Sequence, residues 1–208
     1  MQAQTVGAWL EALASDAPAP GGGAAAAMQA AVGAALIEMV CNLTIGKPAY
    51  AAHDTTMRTA LAEATSLRIR SLHLAEQDAQ AFAAVAAAYR LPKDTDDDRR
   101  ARTKRIQAAV ADAADVPLQT AQVAAGVVDL AGRILDGANR NVLSDVAVAA
   151  AAARAGLEAA VVNVEVNLAA LTDSARRADL AARLAPHAKA VEAALGKHRA
   201  RAPQITRK

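Results

Sequence analysis

Three consecutive glycines, Gly21-Gly22-Gly23, stand directly before an alanine-rich run. A helix beginning there presents unpaired backbone N–H groups at its positive end, and glycine lets an anion or oxyanion approach that backbone closely. The plainer reading is a loop between two helices. In Leu43-Thr-Ile-Gly-Lys-Pro-Ala-Tyr50, Lys47 and Tyr50 sit on a turn from which they could point into a pocket, although a lone lysine on a turn is commonly solvated. Asn139-Arg-Asn-Val-Leu-Ser-Asp145 is polar and precedes a helical run; Ser144 reads best as a helix cap, and Asp145 could cap as well. Asn163 and Asn167, four residues apart, share one helical face. Set among alanine and valine, their amides must find partners, so they either join helices or hold a polar ligand.

Asp78 has the setting of a general base. Its neighbours on a helical face are Ala75, Ala79 and Phe82, and partial desolvation there raises a carboxyl pKa toward useful values. The alternative is a satisfied core acid. The other familiar constellations are missing. His53, His73, His187 and His198 have no histidine or cysteine partner at ligand spacing, and no phosphate loop, dinucleotide fingerprint or nucleophile elbow occurs. The expectation is therefore side-chain chemistry with no metal and no cofactor. These residues alone support a helical domain with a polar pocket.

The elements that must position them are helices. Of 208 residues, 54% are hydrophobic and only 2% aromatic, so the core is made largely of alanine, a strong helix former with little volume. Thr5 can cap a first short helix carrying Trp9, Leu10 and Leu13, which Asp16-Ala-Pro-Ala-Pro-Gly-Gly-Gly23 stops. A second helix is expected from about Ala24 to Leu43, and a third from Asp54 or Thr55 to about Leu91, along Met57, Leu61, Ala64, Phe82, Val85 and Tyr89. Further helices are expected at roughly Arg99 to Ala114, Pro117 to Leu135, Ser144 to Leu171 and Ser174 to Arg201, with bends at Gly156 and Pro186. The acids before Arg99 complement a helix dipole and need no catalytic role. No run alternates with a period of two for long enough to make a sheet. The fold expected is all-α, one domain over 1–208, a bundle of about six to eight helices.

Charge and cysteine usage narrow the classes further. With 23 basic and 21 acidic residues interspersed, no field suited to nucleic acid exists, and the basic tail Lys197 to Lys208 reads as a solvated terminus. The single Cys41 excludes an internal disulfide and fits a reducing compartment. The start lacks a secretory pattern, and Ala24 to Leu43 carries Gln29, Glu38 and Asn42, so a cytoplasmic protein without a membrane span is expected.

Taken together and in order, the segments resemble the cyclodeaminase/cyclohydrolase family of folate enzymes, the family of the C-terminal half of formiminotransferase-cyclodeaminase. The marks run along nearly the whole chain: Pro20-Gly-Gly-Gly23, Leu43-Thr44 with Gly46-Lys47, Asp54-Thr-Thr-Met57, Asp78-Ala-Gln-Ala-Phe82, Arg90-Leu-Pro-Lys93, Val116-Pro-Leu118, Asn139 with Ser144-Asp145, and Asn163-Val with Asn167-Leu. The resemblance implies an all-helical homodimer acting on one-carbon derivatives of tetrahydrofolate, the folate being substrate rather than cofactor. It implies that Asp78 is the acid/base residue and that Gly21, Gly22, Gly23, Lys47, Asp145 and Asn163 help line the folate pocket. Ala24 stands where the family commonly has serine. The 208 residues hold no formiminotransferase half, which favours hydrolysis of methenyltetrahydrofolate to formyltetrahydrofolate over cyclodeamination of the formimino form with release of ammonia. A non-catalytic folate-binding or helical interaction protein is the third reading.

Overall fold

The Thr5 side chain accepts from the Ala8 N–H and starts α1 (Val6–Ala14), which contributes buried Trp9 to the core. The computed structural model describes residues 4–187. The expected helix beyond that point, His198 and the tail Lys197 to Lys208 lie outside the described residues. After the proline-rich break come α2 (Gly22–Asn42), a short 3-10 turn (Pro48–His53) and α3 (Asp54–Tyr89). Thr95 and Asp98 then form a reciprocal capping box that opens α4 (Asp96–Ile134). A second 3-10 turn (Arg140–Val142) leads into α5 (Leu143–Ala170), and residues 174–187 form α6. Among the described residues there are six α-helices and no strand, so the all-α bundle expected from the sequence is the fold; the valine run 161–166 lies within α5.

The expected break before Pro117 does not occur. Pro117 lies inside the single helix α4, where it cannot donate a hydrogen bond toward Ala113. Its ring is buried, as are Ala113, Ala114 and Leu118 around it, and this packing offsets the roughly 3 kcal/mol that an interior proline costs. Gly156 is not a bend either. A Cβ there would stand 2.7 Å from the Ala26 carbonyl oxygen, and one at Gly33 would stand 2.8 Å from that of Ala149. These two glycines let the antiparallel α2 and α5 touch backbone to backbone, the close approach that an alanine core requires.

Helix α2 lies at the centre, packed against α3, α4 and α5. By length and composition it could cross a membrane, but it is a core helix that buries Ala26, Ala27, Ala30, Ala34, Ile37 and Val40. Its Glu38 is held from α3 by Arg68 and Thr65. Helix α6 closes one side with buried Leu180 and Leu184, while its Arg176 and Arg183 both donate to Asp115 of α4, at 2.8 and 3.1 Å.

Candidate functional site

The first turn of α2 meets the middle of α3 through one carboxylate. The Ala24 N–H donates to Asp78 Oδ2 at 3.0 Å, so an aspartate 54 residues away supplies the cap that Gly21 cannot. A serine after the glycines is not needed as a cap. The geometry also explains Gly23: a Cβ there would lie 2.0 Å from Asp78 Oδ1 and 2.5 Å from Cγ. The carboxylate therefore rests on bare glycine backbone. Gly22 faces Asn163, its notional Cβ lying 3.6 and 3.7 Å from the two amide heteroatoms, and Gly21 is open. Neither Gly21, Gly22 nor Gly23 has positive φ, which among the described residues belongs to Gly46. The triple glycine thus answers to close approach rather than to an unusual backbone conformation.

Asp78 is half-buried. Burial raises its carboxyl pKa above the ordinary aspartate value, and the Ala24 hydrogen bond opposes that rise without cancelling it. Oδ1 accepts no hydrogen bond among the described residues, so one oxygen is anchored and the other is available. From α5, the Asn163 amide donates to the Ala159 carbonyl at 2.8 Å and that of Asn167 to the Asn163 carbonyl at 2.9 Å. Both amide nitrogens thus bond within their own helix, and both Oδ1 atoms remain as acceptors. These groups line a cavity of about 390 Å³ whose remaining wall includes Phe82, Val85, Tyr89, Val110 and Val166. A basic oxygen, amide acceptors and the positive end of a helix around an apolar wall can bind a planar, polar molecule and move a proton on it.

Of the residues named from sequence, Gly21, Gly22, Gly23, Asp78 and Asn163 come together here, and Lys47 and Asp145 do not. Asp145 precedes Asn163 by 18 residues on α5, roughly 27 Å at the helical rise. Lys47 is exposed on the loop after α2, also at the far end of the bundle. That end is built as a joint. Asn139 is buried; its backbone N–H donates to Thr44 Oγ1 at 3.0 Å and its amide to the Leu43 carbonyl at 2.9 Å, while the Tyr50 hydroxyl donates to its Oδ1 at 3.3 Å. Sequence reasoning assigned Phe82 and Tyr89 to the core stripe of α3, yet each is about half exposed, 50% and 51%, on the pocket wall. Their rarity was the available signal, since the chain has one phenylalanine and two tyrosines.

Among the described residues, no three His, Cys, Asp or Glu side chains are grouped to hold a metal ion. A methenyltetrahydrofolate cyclohydrolase of Methylorubrum extorquens is 45% identical over 172 residues, 83% of this chain and 83% of that protein. A formimidoyltransferase-cyclodeaminase of Rattus norvegicus is 37% identical over 155 residues, 74% of this chain and 29% of that longer protein. The crystal structure of a formiminotetrahydrofolate cyclodeaminase from Thermotoga maritima superposes with a TM-score of 0.84 at 26% identity, covering 93% of this chain and 92% of that one. Residues 5–186 match the family model described as Formiminotransferase-cyclodeaminase, and the chain belongs to that family, in its cyclodeaminase/cyclohydrolase part.

Proposed function

We infer that this protein is a methenyltetrahydrofolate cyclohydrolase, converting the cyclic 5,10-methenyl form and water to 10-formyltetrahydrofolate. The observation that carries the reading is the Asp78 carboxylate, which lines the cavity and is fixed through Oδ2 by the Ala24 N–H while Oδ1 accepts no hydrogen bond among the described residues. The substrate carbon is a cationic amidine centre between N5 and N10, already electrophilic, so the protein's task is to position water and move protons. Asp78 takes one proton as the water oxygen bonds to that carbon. The N5–carbon bond then breaks, N5 receives the proton from Asp78, and the carbinol O–H becomes the formyl carbonyl by releasing its proton to solvent. One proton is released per turnover. The carboxylate also opposes the substrate's positive charge, and the Asn163 and Asn167 Oδ1 atoms can accept from folate N–H groups or from the attacking water.

Lys47 and Asp145 stay in the reading only through a second copy of the chain. We propose a homodimer paired across the outward faces of α2 and α5, where Val32, Met39, Val148, Val162 and Val166 are exposed. Val166 also lines the cavity, so a copy seated there borders the site. A two-fold axis crossing the helices sets the far end of one copy, with Lys47 and Asp145, beside the Asp78 pocket of the other. Metal-free catalysis in the cytoplasm completes the proposal; dialysis against a chelator should leave turnover and helicity intact, and restoration by one divalent ion would overturn the metal-free part.

The deciding assay offers purified protein each folate and follows the methenyl chromophore. Loss from the methenyl form supports hydrolysis. Gain from the formimino form supports the cyclodeaminase reading, which the Thermotoga maritima structure favours. Neither change refutes catalysis on these substrates.

A further inference from the structure

Asp78, Phe82, Val85 and Tyr89 follow one another on α3 at steps of four, three and four, so they form one stripe, and all four line the cavity. A protein with so few aromatic rings leaves two of them half exposed on this stripe, where each forgoes burial that a ligand ring could restore. The stripe ends in a cation. The Arg102 guanidinium of α4 lies 5.6 Å from the centre of the Tyr89 ring, with Nε and Nη2 donating to the Tyr89 carbonyl at 3.3 and 3.0 Å. Among the described residues its Nη1 has no protein acceptor. Arg99 and Arg100 nearby are ion-paired with Asp96 and Asp97, whereas Arg102 has no carboxylate partner among the described residues. Arg90 and Lys93 are exposed just past the end of α3 and add positive charge at this lip.

We propose that Arg102 is a specificity-determining residue that binds a carboxylate of the substrate's glutamyl end, with Phe82 and Tyr89 flanking the aminobenzoyl ring between it and Asp78. The proposal rests on the folate reading of the site and adds the direction in which the substrate lies. From Asp78 to Tyr89 is eleven residues, roughly 16 Å along the helix. From the reacting carbon to the glutamyl carboxylates of a folate is roughly 10–13 Å, from ordinary bond lengths. A carbon placed at Asp78 therefore brings those carboxylates to the Tyr89 end, where a guanidinium can pair with them through charge-assisted hydrogen bonds.

The test compares methenyltetrahydrofolate with methenyltetrahydropteroate, which lacks the glutamyl residue, using the same chromophore. Wild-type enzyme should favour the glutamyl substrate through a lower KM, and Arg102→Ala should erase about tenfold of that preference with kcat on the glutamyl substrate changed less than threefold. Arg102→Gln keeps the stem and a donor for the Tyr89 carbonyl without the charge, and should lose the preference equally while retaining the native melting temperature. Arg100→Ala should keep the preference. A wild-type KM ratio in both Arg102 variants overturns the proposal while leaving the function intact. Turnover of neither compound by wild-type enzyme overturns the function, and this inference with it.

Discussion

Gly23→Ala separates the catalytic from the structural meaning of the triple glycine. The added Cβ would lie 2.0 Å from Asp78 Oδ1, 2.5 Å from Cγ and 2.8 Å from Oδ2, so the carboxylate must retreat by about 1 Å or more to reach an ordinary contact. The retreat is cheap for the fold, because the obstructed group is the end of a side chain bordering a cavity. It breaks the 3.0 Å bond from the Ala24 N–H, a lost cap worth about 1 kcal/mol. Replacing a helical glycine by alanine returns about 0.5–1 kcal/mol, so the net stability change is about 0–0.5 kcal/mol, a shift of roughly 2 °C at most. Catalysis has no such compensation. A reacting group displaced by about 1 Å costs on the order of a hundredfold in rate. The measurement is the initial rate of methenyl loss beside a thermal melt, with Gly22→Ala as the control. There the new methyl meets Asn163 at 3.6 and 3.7 Å, an ordinary contact, and turnover should stay within a few fold of wild type. Gly23→Ala protein with turnover within threefold of wild type and a native melt would refute the placement of Asp78 in the chemistry.

Four further outcomes can be measured. Asp78→Asn keeps an acceptor for Ala24 and should lose turnover by roughly a hundredfold or more while melting no lower than wild type. Burial raises the native pKa of Asp78 above 3.8, so the charged form costs the fold stability at neutral pH that is regained as pH falls through the raised value. For the same reason the acid limb of kcat/KM should lie above 3.8; the cationic substrate favours the carboxylate, so the limb of kcat should lie lower, and coincident limbs at or below 3.8 would count against Asp78 as the base. The Cys41 thiol, fully buried and pushed up to about 11 by desolvation and by Glu38, should resist alkylation in native protein at pH 8 and react on unfolding; modification within minutes would contradict its burial. Sedimentation should give twice the 21.2 kDa chain mass, and Val162→Lys, on the exposed face of α5, should lower it toward one chain; a native monomer with full activity would remove the dimer.

What could be read from sequence was what local physics decides. The limits of α2, α3 and α5 fall within about two residues of expectation, because glycine, proline and apolar periodicity act over a turn or two. Pro117 and Gly156 depart from the local expectation for one reason. A local rule assigns proline to a helix start and interior glycine to a bend, whereas buried neighbours carry Pro117 through α4 and a backbone crossing against Ala26 demands Gly156. The site lay at an intermediate depth. The family pattern singled out Asp78 and the glycines, but their relation is a contact across 54 residues, and no periodicity says that Gly23 is glycine because an aspartate rests on it. That contact also bears on which glycine matters. Gly21, Gly22 and Gly23 are equivalent as letters, yet in space one is open, one touches an amide at ordinary distance and one has its Cβ position occupied by the Asp78 carboxylate. The same distinction governs Lys47 and Asp145, which the pattern grouped with Asp78 and the folded chain holds at its other end. A motif records that residues serve one function, and only the packing of α2 against α3 and α5 decides whether they do so in one pocket of one chain.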